Sequence, residues 1–155
     1  MQRYLVFFSY IGTRFRGAQV QLPPGPRLEP YEDRSTVQGM FNLALCHFRS
    51  ANTPVFVLSS RTDSGVHALS SSGHVDLAHP YHEEGRVFRP ARLLRELNRY
   101  FDKTATEISV QRVLCVPETF HARFSAVSRA YLFRLGVVRA EAWPPDADRT
   151  ACADP

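Results

Sequence analysis

Lysine is nearly missing from this chain of 155 residues: Lys103 stands alone, and the other eighteen of its nineteen Lys and Arg residues are arginine. Cysteine is scarce and odd in number. Cys46, Cys115 and Cys152 include no close pair, which argues against a disulfide framework or a cysteine-based zinc site and favours a reducing compartment. No apolar run approaches the roughly 20 residues that a membrane span needs, so the chain is read as soluble, with no membrane among its partners. Acid is absent from two stretches. Residues 1 to 28 carry Arg3, Arg14, Arg16 and Arg27, and residues 120 to 139 carry Arg123, Arg129, Arg134 and Arg139, with no Asp or Glu in either. What remains is ordinary: 44% apolar and 22% charged residues suit a globular domain and exclude a disordered or collagenous chain. The length fits about one domain with a real core.

The arginine bias has a chemistry. A planar guanidinium forks onto phosphate and stacks on bases, and both acid-free stretches interleave arginine with Tyr4, Phe15, Phe120, Phe124, Tyr131 and Phe133. That pattern fits an RNA or DNA surface, although solvated arginine on an idle face gives the same composition. The acid-poor start also has the look of a transit peptide, which leaves a mitochondrial or a cytoplasmic setting open. Against a removable leader, Arg3 to Tyr10 reads as a strand.

Further along, Leu22 to Arg34 holds four prolines and a glycine and reads as a surface loop. Ser35-Thr36-Val37-Gln38 matches a capping box, and Val37, Met40, Phe41, Ala44, Leu45 and Phe48 then recur at helical spacing. Gly39 within that helix suggests either a close contact or a tolerated flaw. Val55 to Leu58 and Ser71 to Leu77 read as strands on either side of a polar segment. Pro90 opens a second amphipathic helix carrying Leu93, Leu94, Leu97 and Phe101. Glu107 to Val113 alternates like a half-buried strand, and Ala126 to Val138 reads as a last long strand. The order strand, helix, strand, strand, helix, strand implies an α+β fold of ferredoxin-like, RRM-like type, an antiparallel sheet with two helices on one face. Residues 1–138 form the domain. Residues 139–155 have no periodicity and read as an unrelated, unstructured tail.

The least ordinary segment is Ser60-Arg61-Thr62-Asp63-Ser64-Gly65-Val66-His67-Ala68. Gly65 permits a left-handed turn, and Arg61 beside Asp63 favours an ionised carboxylate. Such a carboxylate suits a base or a nucleophile, while the plainer reading is an Asx-turn with a surface salt bridge. His67, His74, His79 and His82 lie nearby but lack the spacing of a metal set, so no metal is expected and they read as solvated residues. His121 is read as orienting Arg123 or the backbone.

This segment resembles the catalytic loop of TruA-type tRNA pseudouridine synthases, whose pattern is Gly-Arg-Thr-Asp-Ala-Gly-Val-His-Ala. Other stretches fall in that family's order: Phe8 to Gln19, Ser35 to Gly39, Leu97-Asn98, Glu107 to Val110, Phe120 to Ala126 (FHARFSA) and Arg129-Ala130-Tyr131. The resemblance spans residues 3 to 138. It implies one half of a pseudouridine synthase fold, an isomerase acting on uridine in tRNA, in the anticodon stem-loop, with no metal or organic cofactor. It makes Asp63 the catalytic carboxylate. Arg61 would fill the gap left by an everted nucleotide and pair with Asp63. Tyr131 would stack on the flipped uracil, and Arg123 and Arg129 would contact phosphate. RNA is the implied partner, with a homodimer as the expected assembly. A non-catalytic RNA-binding module of the same fold is the competing reading.

Some positions depart from the family. Ser60 and Ser64 replace Gly and Ala in the loop, Ala18 stands for a Trp, and Ile11 for an Asp. Family members continue into a second half that completes the sheet and the cleft, whereas residues 139 to 155 bear no likeness to it. The expectation is therefore a truncated N-terminal half with an intact Asp63 loop and poor or no activity alone.

Overall fold

A computed structural model describes residues 1–21 and 33–137. The bulk of the proline-rich stretch and the end of the chain from residue 138, including the expected tail, lie outside them. Six main elements follow in the expected order: β1 (Gln2–Tyr10), α1 (Val37–Cys46), β2 (Val57–Leu58), β3 (Ala68–Leu77), α2 (Pro90–Lys103) and β4 (Ile108–Val116). The strands form one antiparallel sheet in the order β2-β3-β1-β4, so β1 lies inside and pairs with both β3 and β4.

Period-two alternation along β1 explains which face is covered. Tyr4, Val6, Phe8 and Tyr10 are buried on the helix side and join one core with Val37, Phe41 and Leu45 of α1 and Leu93, Leu97 and Phe101 of α2. Phe41 sits at its centre. Its ring stacks on Phe56 at 4.1 Å and meets Phe8 and Phe101 edge-on at 4.7 and 5.1 Å. This is the α+β sheet with two helices on one face that the sequence implies. Among the described residues no helix is long and apolar enough to cross a membrane.

The start of α1 differs in detail from a capping box. Thr36, not Ser35, is the N-cap, and its Oγ1 accepts from the Gly39 N–H at 3.2 Å. Gln38 turns away from the cap: its Oε1 accepts from the Val20 N–H and its Nε2 donates to the Phe56 carbonyl. Gln38 therefore ties α1 to the turn after β1 and to the residue before β2 instead of closing the cap. Buried Asp33 accepts from the Ser35 and Thr36 hydroxyls, and a Cβ at Gly39 would collide with the Asp33 carbonyl. The close contact suggested at Gly39 is thus present.

The strand expected over Ala126–Val138 is not formed: residues 126–137 carry no strand or helix. A strand needs a neighbour for its N–H and C=O groups, and alternation in the sequence does not supply one. Side chains there point into solvent, with Val127 98%, Phe133 90% and Leu135 90% exposed.

Candidate active site

The loop between β2 and β3 is built around two short contacts with the turn after β1. The Gly12 N–H donates to His67 Nδ1 at 2.9 Å, and the Ala18 N–H donates to the Thr62 carbonyl at 3.0 Å. Tyr10 Oη and Thr62 Oγ1 share a hydrogen bond of 2.7 Å, and the Gly65 N–H donates to the Phe15 carbonyl. A Cβ at Gly12 would fall on the Val66 carbonyl, so only glycine lets the two turns approach this closely. The loop itself reverses between Asp63 and Val66, with Gly65 at φ +76°, the left-handed conformation read from the sequence. Ala18 is buried and holds Thr62 through its backbone, so this anchoring does not depend on a large side chain at that position.

These contacts leave a cleft of about 480 Å³ lined by Arg16, Gly17, Gln19, Arg61, Thr62 and Asp63 among others, a size that fits a small-molecule or nucleotide site. Two arginines and an aspartate are therefore among the residues that line one concavity. Arg16 is held by Ser35 Oγ at 2.7 Å and by Asp33 at 3.7 Å. Asp33 ends below the ordinary carboxylate range: burial opposes this, and the hydrogen bonds from Ser35 and Thr36 with the Arg16 charge outweigh it.

Arg61 and Asp63 are both exposed, and no ion pair within 4.0 Å joins them, contrary to the pairing the sequence suggests. Among the described residues the Asp63 carboxylate takes part in neither an Asx-turn nor a surface salt bridge, the two parts of the plainer reading. Only its backbone is engaged, through the Val66 N–H. The fold thus fixes the Asp63 main chain and leaves its acid free.

The remaining expected residues lie on the segment after β4. Arg129 Nη2 donates to the carbonyl of Ser59 at the root of the loop, at 3.3 Å. Arg123 is exposed, and Tyr131 is 73% exposed and does not line the cleft. Sequence reasoning missed the sheet's open face. His74, read as solvated, is 4% exposed, because residues 117–125 fold back across the strands and cover it. Arg3 anchors that return: it forks onto Asp76 (Nε–Oδ1 2.7 Å, Nη2–Oδ2 2.6 Å) and donates through Nη1 to the Glu118 and Phe120 carbonyls. The signal for it was Arg3 itself, a cation on the outward parity of an otherwise apolar strand. His121 orients the backbone as expected, its Nδ1 accepting from the Arg123 and Phe124 N–H groups.

Arg3→Ala is expected to cost about 1–3 kcal/mol, because hydrogen bonds to a charged group are lost and Asp76 is left half-buried without its partner. Urea denaturation measures it. The Arg3 hydrogen bond holds the Asp76 carboxyl below its usual range, against the pull of burial. The stabilisation is present above about pH 4 and is lost as pH falls further, so the gap between Arg3→Ala and the parent closes in acid.

No family model matches the chain. Among curated relatives it is similar to human "tRNA pseudouridine synthase-like 1", 39% identical over 134 residues, covering 86% of this chain and 40% of that protein. It is similar to "tRNA pseudouridine synthase A" of Dinoroseobacter shibae, 37% identical over 142 residues (92% of this chain, 48% of that one). The same-named protein of Bartonella quintana is 33% identical over 135 residues, 87% of this chain and 47% of that one. The chain spans less than half the length of these relatives.

Proposed function

We propose that this relative of the tRNA pseudouridine synthases carries the catalytic loop of such an isomerase, with uridine in tRNA, in the anticodon stem-loop, as its substrate. One observation carries the reading: an uncommitted carboxylate, Asp63, shares an arginine-lined cleft with Arg61 and Arg16 in a chain with these relatives. Asp63 acts in breaking the N1–C1′ bond of uridine. The base then rotates and reattaches through C5, so that C5–C1′ forms, the C5 hydrogen leaves to water and N1 gains a proton. The base is both leaving group and nucleophile, and the scheme calls on no cofactor.

A base within a stem must leave its stack before its glycosidic bond is accessible. Arg61, free of ion pairs to the described residues, is proposed to occupy the vacated gap and to pair with Asp63. Tyr131 is proposed to stack on the everted uracil, which contributes about 1–3 kcal/mol and requires its exposed segment to close over the cleft. Arg123 and Arg129 then contact phosphate. A homodimer and an organelle or cytoplasmic location belong to the same proposal, supported by the family resemblance and by free Cys46 and Cys115.

The test is isotope release from an anticodon stem-loop tritiated at uridine C5, under single turnover with protein in excess. The 155-residue chain is expected to release tritium slowly, well below the rate of a full-length relative, because it spans less than half of one. Salt-dependent RNA binding with no release at all would overturn catalysis by this chain and favour the binding-module reading.

A further inference from the structure

We propose that His74, with His121 packed against it, forms a clasp that pins residues 118–125 to the open face of the sheet and opens when His74 is protonated. Resting on the reading above, the clasp acts by positioning: it presents Arg123, and through the same run of chain Arg129, to RNA beside the Asp63 loop.

The geometry fixes the protonation state. A backbone N–H only donates, and the Ala122 N–H points at His74 Nδ1 at 3.2 Å, so Nδ1 carries no proton and the ring is neutral. His121 orders the same segment: its Nδ1 accepts from the Arg123 and Phe124 N–H groups at 3.3 and 3.4 Å. The two rings meet edge-on at 4.6 Å, and His121 stacks on Phe124 at 4.3 Å. The segment is therefore held at His74 by an acceptor that vanishes on protonation.

The surroundings favour the closed, neutral state. Arg3 of β1 and His121 of the returning segment oppose a positive charge on His74, while Asp76 of β3 favours it but is already engaged by Arg3. Glu118 faces Arg3. The neighbouring strands contribute Val57 of β2 opposite His74 and Leu114 of β4 opposite Leu5, neither charged. Burial is the main cause that holds His74 below its ordinary value. The sign follows: the clasp is complete above about pH 6.5 and loosens as pH falls below it. His67 also accepts from a backbone N–H, at Gly12, but it belongs to the other anchor and gives a separate reading.

Amide hydrogen exchange, corrected for intrinsic rates, tests the clasp in the whole chain. Between pH 7.5 and 5.5, protection at Ala122 and Ser125 is expected to fall relative to Val6 in the central strand, because the neutral acceptor at His74 is lost as pH drops below about 6.5. The His74→Asn variant keeps an acceptor near Nδ1 that does not titrate, and its protection is expected to stay level. In isotope release, the acid limb of the parent's rate profile shifts to lower pH in His74→Asn while the rate at pH 7.5 changes less than twofold. Level protection in the parent, or an equal fall in His74→Asn, overturns the clasp whatever the activity. Exchange as expected with no isotope release from either protein supports the clasp and counts against the enzyme reading.

Discussion

Asp63→Ala removes tritium release from a C5-labelled stem-loop by at least 10²–10⁴-fold, the range typical of losing a positioned acid–base group. RNA affinity is unchanged or slightly tighter, since a negative charge leaves a cleft that also holds Arg16 and Arg61. Stability changes by less than about 0.5 kcal/mol, as expected for an exposed side chain without partners. Three measurements on one variant thus separate chemistry from architecture. Joint loss of binding and folding would assign Asp63 a structural role and end the catalytic reading. Asp63→Asn, which keeps the shape and removes the charge, is expected to match Asp63→Ala in rate.

Phe41→Ala costs about 3–5 kcal/mol in urea denaturation, the range for emptying an aromatic site in a packed core. The figure is large because its ring touches both layers: Phe8 on β1, Phe56 just before β2 and Phe101 on α2. Against a domain stability of about 5–15 kcal/mol, that loss is enough to populate the unfolded chain at ambient temperature. Phe41→Leu keeps most of the volume and is expected to lose less than half as much. A cost below about 1 kcal/mol for Phe41→Ala would show that the site collapses freely and is not the centre of the core.

Local periodicity made most of the fold legible. β1, α1 and α2 bury their own apolar stripes, so Phe8, Phe41 and Leu97 mark their faces without help from distant sequence. His74 shows where that reading stops. The alternation Ser72, His74, Asp76 gives the face away from the helices, and such a face reads as solvent unless something covers it. What covers it is residues 117–125, more than 40 positions later, held by Arg3 and His74. Ala126 to Val138 fails for the mirror-image reason: its pattern suits a strand, but among the described residues no edge receives it. At the site, Arg61 and Asp63 stand two apart in sequence, which suggested a pair. The loop's backbone is fixed by Gly12, Ala18 and Phe15, and its contacts do not bring the two charged ends together.

The interior position of β1 bears on how the chain is made. Its residues leave the ribosome before those of the other strands, yet Leu5 must wait for His74 on one side and Leu114 on the other. These pairings span about half and most of the domain, so the fold is slower to form than a helical bundle of its size. Until residue 77 has emerged both edges of this aromatic strand are open, and one stays open to other nascent chains until residue 116. Synthesis in the cell thus depends on how long that strand can stay unpaired without sticking elsewhere.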